Sequence, residues 1–203
     1  MPIDTYTDLH AVSGGFSEPV AESQSSFRRV LEAMAHPGRI VELPYQPADG
    51  NSSRLGEAAA AIGLTLLDLE TPIWLQPELS AAAPFLRFHC GSPVVTEPRQ
   101  CRFAFARAEA ELPSLDSFDL GSEEYPDRST TLVLEVAELG RGHALMLRGP
   151  GIRERTRLEV NRIAPRLWDE RQALAALFPR GVDLILTCGR RLAAIPRTTL
   201  VEA

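Results

Sequence analysis

The chain has 203 residues, of which 44% are hydrophobic and 24% charged, and its formal net charge is −6 at pH 7. That length suits one domain with a sizeable core, and a pI near 5.3 argues against a nucleic-acid binder. All 21 basic residues are arginine, and without a lysine amine there is neither a Schiff base for pyridoxal phosphate (PLP) nor a Walker-type phosphate loop.

Residues 1–20 contain Gly14-Gly15 and Pro19 without sustained periodicity and read as an N-terminal arm, leaving residues 21–203 as a single α/β domain. Ser23 or Ser25 suits the N-cap of a helix that Pro37-Gly38 ends. Phe27, Val30, Leu31 and Met34 share one of its faces and are expected in the core, with Arg28 and Arg29 off that stripe. Ile40 to Leu43 make a short strand, and Asp49 to Ser53 are turn-formers. The Ala/Leu-rich stretch Leu55 to Leu69 reads as a closely packed helix, and Ile73 to Leu75 as a strand. A short helix follows from Pro84 through Phe88, and Gly91-Ser92-Pro93 turns the chain into Val94-Val95.

Arg102 to Arg107 alternates strictly, with Phe103 and Phe105 on one face and alanines on the other, which predicts a half-buried strand. Residues 109–127 hold seven acids and no base, the composition of a solvated loop with a weak helix inside. Thr130 to Val136 and Ala144 to Leu147 are strand-like, and a hairpin-like pair is expected near 130–150. Pro165 opens the last helix, which runs through Phe178. Val182 to Thr187 and Leu192 to Ile195 then form a hairpin that reverses at Gly189 and stops at Pro196. Helices alternating with strands make the class α/β, with a mixed central sheet flanked by helices.

Cys90, Cys101 and Cys188 are odd in number and far apart, and His10, His36, His89 and His143 are equally scattered. Free thiols, with neither a metal centre nor an iron–sulfur cluster, are therefore expected. No apolar run approaches a membrane-spanning length, and residence in the cytoplasm follows by default. Charge is uneven: residues 1–138 hold 21 acids and 9 arginines, a balance of −12, whereas 139–203 hold 12 arginines and 6 acids, a balance of +6. The basic part faces an acidic partner or phosphorylated ligand, or simply neutralises the other half within one fold.

Two places have the chemistry to hold an anion. Thr187, Arg190, Arg197 and Thr198 would form a rim on the closing hairpin, which otherwise serves to complete the sheet. Gly149 and Gly151, with Arg148 beside them, resemble a phosphate cradle or a plain turn, and Pro150 removes one N–H donor. No nucleophile elbow or paired acid and base is visible, so catalytic residues are not assigned.

Several stretches carry a family likeness. Phe27-Arg-Arg-Val-Leu-Glu-Ala-Met-Ala-His-Pro-Gly38, Thr71-Pro-Ile-Trp-Leu75, Leu86-Arg-Phe-His89, Gly149-Pro-Gly-Ile152 and Gly181 to Thr199 resemble, in order and spacing, the PhnH family of the bacterial carbon–phosphorus lyase. Arg28 becomes a contact candidate because it lies in the first of these motifs. The resemblance implies a fold like the large domain of PLP-dependent transferases, without the cofactor. It also implies a non-catalytic, essential subunit acting with sister subunits of the G, I and J types, and a homodimer when isolated. The complex would convert ATP and an alkylphosphonate to ribose 1-phosphonate 5-triphosphate, releasing adenine, ahead of carbon–phosphorus bond cleavage. The alternative is that the chain itself binds ATP or phosphonate and contributes directly to that step.

Overall fold

Strands β1 (Val41–Glu42), β2 (Ile73–Leu75), β3 (Val94–Val95), β4 (Phe103–Arg107), β5 (Thr131–Glu135), β8 (Asp183–Cys188) and β9 (Arg191–Ile195) form one sheet, in the order β1-β9-β8-β5-β4-β2-β3. Within it β9 alone runs against the other six. A second, antiparallel sheet has the order β10-β6-β7, from Leu200–Glu202, Leu139–Arg148 and Thr156–Val160. The helices are α1 (Pro19–Ala35), α2 (Glu57–Leu66), α3 (Ala83–Cys90) and α4 (Pro165–Leu174). These come from a computed structural model that describes residues 13–45, 47, 50–51, 53–161 and 163–202. Most of the expected arm, His10, and Asp49 and Ser52 of the expected turn lie outside the described residues.

The period-2 rule divides the core into two layers. Ile73, Phe105, Val133, Ile185 and Ala194 face α1, α2 and α3, whereas Trp74, Ala104, Leu132, Leu184 and Ile195 face the second sheet and α4. Both faces of the main sheet are thus covered, which is why β5 and β8 are almost continuously apolar. Strand β4 corrects the half-buried expectation, because Ala104 and Ala106 are fully buried. Their short side chains sit in the layer that the 109–127 segment completes, where Phe118 meets Trp74 edge-on at 5.7 Å. That segment corrects the solvated-loop reading as well: most of its acids are exposed, while Leu115 and Phe118 anchor it.

Helix α1 begins earlier than its sequence suggests. Pro19 is its first residue, and Glu22 reaches back to accept from the Glu18 N–H at 2.8 Å, so Ser23 and Ser25 lie inside the helix instead of capping it. Its buried residues are Ser26, Val30 and Ala33, while Phe27 and Leu31 are 45% and 51% exposed. The expected core stripe is therefore split. The small Ser26 and Ala33 let α1 lie close on its neighbours, and close approach turns Phe27 and Leu31 outward.

The expected hairpin near 130–150 is not formed, since β5 lies between β4 and β8 and β6 belongs to the other sheet. The hairpin partner of β6 is β7, and β10 adds on its other side. The closing hairpin is present as expected, with Cys188 opposite Arg191 across a two-residue turn. That turn also bridges to its surroundings: the Ala58 N–H at the start of α2 donates to Gly189 O at 2.8 Å, and the Leu43 N–H donates to Arg190 O at 2.9 Å.

The cysteines are all free thiols. Burial pushes the Cys90 and Cys101 thiols up to about 11. An unfolded thiol ionises near 9, so between 9 and 11 the folded state binds more protons and stability falls as pH rises. Raising the pH from 8 to 10 should lower the urea-derived stability by about 2–3 kcal/mol for the two thiols together. Replacing both cysteines with alanine should flatten that slope, and an unchanged slope would refute the assignment.

Candidate functional site

The register of the closing hairpin divides the expected anion rim in two. Arg190 lies at the turn, whereas Arg197 and Thr198 follow the far end of β9, separated by a five-residue strand spanning roughly 17 Å. At the turn, Arg190 pairs with Glu42 at 2.7 Å. Thr187 is buried one residue before the end of β8, and its hydroxyl has no hydrogen-bond partner among the described residues. Arg28 is exposed on α1, next to Arg29, which lines a shallow pocket with Glu42 and with Arg190 of the hairpin turn.

At the other end several of the expected residues do come together. Pro196 to Thr199 form a turn closed by the Thr199 N–H donating to Pro196 O at 2.8 Å. Arg197 is held firmly there. Its guanidinium pairs with Asp183 at 2.5 and 3.2 Å, its own N–H donates to the same carboxylate at 2.6 Å, and Pro126 O accepts another bond. With both side chains mostly buried, this pair positions the turn on the start of β8.

Gly149 and Gly151 close the connection between β6 and β7, and both contact backbone. A Cβ on Gly149 would lie 2.8 Å from Thr198 O, and one on Gly151 would overlap Ala35 O at the end of α1. The glycines are needed for close chain approach, and Gly149 touches the very turn that carries Arg197. Arg148, next to it, pairs with Glu202 of β10 at 3.4 Å, a carboxylate that Arg155 approaches at 3.7 Å.

The residue that organises this end is one the sequence reading did not single out. Arg171 of α4 is 7% exposed, and its guanidinium donates to Val182 O at 2.9 Å, Ile195 O at 3.0 Å, Thr199 O at 3.4 Å and Pro196 O. Burial is the main cause that pulls its pKa down to about 10, so it remains charged at neutral pH. The signal was available: Leu167, Trp168 and Arg171 share one helical face, so an arginine occupies a position where the stripe calls for an apolar residue. Arg148, Arg171, Arg197, Thr199 and Glu202 line a cavity of about 170 Å³.

A larger cavity, about 540 Å³, lies between the β6–β7 hairpin and α4, lined by Leu145, Val160, Ile163 and Trp168, with His143, Asn161 and Asp169 also on its wall. Among the described residues no three His, Cys, Asp or Glu side chains converge on a metal-sized site, and no helix is long and apolar enough to cross a membrane.

Fold and site together define an arginine-bearing α/β protein built on a mixed seven-stranded sheet. The chain belongs to the PhnH family: the family model described as "Bacterial phosphonate metabolism protein (PhnH)" matches residues 14–202. It is 43% identical over 192 residues to a protein of Rhizobium meliloti (strain 1021) named alpha-D-ribose 1-methylphosphonate 5-triphosphate synthase subunit PhnH, covering 94% of this chain and 95% of that one. A second relative, the putative C-P lyase subunit protein HtxG of Stutzerimonas stutzeri, is 35% identical over 179 residues, covering 88% of this chain and 85% of its own.

Proposed function

We propose that the chain is a non-catalytic, essential subunit of the carbon–phosphorus lyase core complex of organic phosphonate catabolism. That complex converts ATP and an alkylphosphonate to ribose 1-phosphonate 5-triphosphate, with release of adenine, before the carbon–phosphorus bond is cleaved. Identity of 43% across nearly the full length of a relative named as a subunit of that synthase carries the reading. The use of the arginines supports a structural part in it, since Arg148, Arg190 and Arg197 each pair with an acid of the chain itself. Absence of lysine from the sequence supports a chain that works without PLP. A mixed seven-stranded sheet packed on both faces supports a likeness to the large domain of PLP-dependent transferases, within one domain over residues 21–203. We place the protein in the cytoplasm.

The partners we infer are the sister subunits of the G, I and J types, and a second copy when the chain is isolated. Val20, Phe27 and Leu31, spaced seven and four residues apart, form an exposed apolar stripe on α1, at 86%, 45% and 51% exposure. Such a stripe suits assembly, where burying aromatic and aliphatic anchors drives association. Co-expression with the sister subunits should give a co-purifying complex. The double variant Phe27→Asp, Leu31→Asp should melt within a few degrees of the parent and yet lose at least tenfold in recovery of the complex. Equal recovery would remove α1 from the interface. Growth on a phosphonate as sole phosphorus source after deletion of the chain would overturn the subunit role altogether.

A further inference from the structure

Two residues that line the smaller cavity each carry a buried polar atom with no partner among the described residues: Nε of Arg171 and Oγ1 of Thr199. Buried polar groups are nearly always paired, because leaving one unmade costs about 1–3 kcal/mol. Here a charged donor and a hydroxyl, both on residues lining one cavity, are unpaired together. Arg148 lines the same space, and its pairing with Glu202 is half-exposed and long at 3.4 Å, so little is lost when an anion competes for it. Arg197 also lines the space, with its guanidinium held on Asp183.

Size restricts the occupant. The cavity of about 170 Å³ is five to six times the roughly 30 Å³ share of one liquid water, and falls short of the roughly 300 Å³ at which drug-sized ligand pockets begin. Among the described residues it has no aromatic wall on which a base would stack. We propose that this cavity binds a tetrahedral oxyanion of the size of phosphate, held by Arg171, Thr199 and Arg148, either as the free ion or as the phosphate group of a larger ester. The site belongs to the chain itself and does not depend on the subunit assembly, so it is tested on the isolated protein.

The test is calorimetric titration of inorganic phosphate into the full-length chain in a chloride buffer. One saturable site per chain is expected, with a Kd at or below the millimolar range. Thr199→Val removes the hydroxyl at nearly constant volume, and Arg148→Gln removes the mobile cation; each should weaken phosphate at least fivefold. Thr199→Val should also melt no lower than the parent, since it deletes an unpaired buried group. Arg171 is left intact because it holds the fold. Ribose 5-phosphate in a competition arm separates the sources: displacement at equal stoichiometry assigns the site to an ester, and exclusion assigns it to the free ion. Absence of saturable binding overturns the proposal. So does binding that neither substitution weakens.

Discussion

Replacing Arg171 with methionine is expected to destabilise the protein by about 3–5 kcal/mol, a large share of the roughly 5–15 kcal/mol that ordinary domains hold. The guanidinium bonds the carbonyls of Val182, Ile195, Pro196 and Thr199, which lie before β8, at the end of β9, and along the turn into β10. Methionine fills much of the volume and removes the desolvation burden of a buried charge. That gain makes many buried ion pairs replaceable, but only when both partners change. Here the partners are backbone carbonyls that stay in place, and each one left buried without a donor costs about 1–3 kcal/mol, reduced where water enters. Lysine is expected to recover only part of the loss, because a single ammonium does not span carbonyls that a planar fork reaches together. Urea unfolding measures the effect. A loss under about 1 kcal/mol for Arg171→Met would mean that the carbonyls are satisfied without it.

Gly151→Ala is expected to cost about 3–4 kcal/mol through two mechanisms that a control separates. The first is backbone conformation: Gly151 has φ +80°, where a non-glycine residue costs roughly 1–2 kcal/mol. The second is space, since the new methyl group would overlap Ala35 O and lie 3.0 Å from Pro37 Cδ. Ala35 O belongs to the last turn of α1, so relief requires moving a helix end or the β6–β7 connection. Gly189 has a similar φ of +56° and nothing within 4 Å of a Cβ, so Gly189→Ala should show the conformational part alone, about 1–2 kcal/mol. Equal losses at the two positions would show that the packing of the Gly149–Gly151 turn on α1 contributes nothing.

Particular residues show how far the sequence could be read. Strand β8 and its two-residue turn into β9 were legible because they rest on an almost continuous apolar run and a glycine. Strand β7 was equally legible in principle, as Leu158 and Val160 alternate with Arg157 and Glu159. Helix α1 was legible as a helix, but its buried face was not. Four apolar residues marked one stripe, and the close packing of Ser26 and Ala33 selected another. The 109–127 segment hid two core residues among seven acids, since composition averages over a stretch and burial does not. In the candidate site, Arg197 and the Gly149 turn were picked out, whereas Arg171, which ties them together, was passed over in the middle of a helix.

What the sequence determines by itself here is local or compositional. The α/β alternation, the closing hairpin, the absence of a lysine and the ordered motifs of the PhnH family are all contained in short spans, where period and residue chemistry decide. The tertiary structure decided what depends on residues distant in the chain. It placed Arg190 and Arg197 at opposite ends of one hairpin, covered the alanine face of β4, and gathered Arg148, Arg171 and Thr199 around one cavity. The physical reason is that hydrogen-bond partners and burial are set by which elements meet, and no periodicity within an element encodes its neighbour.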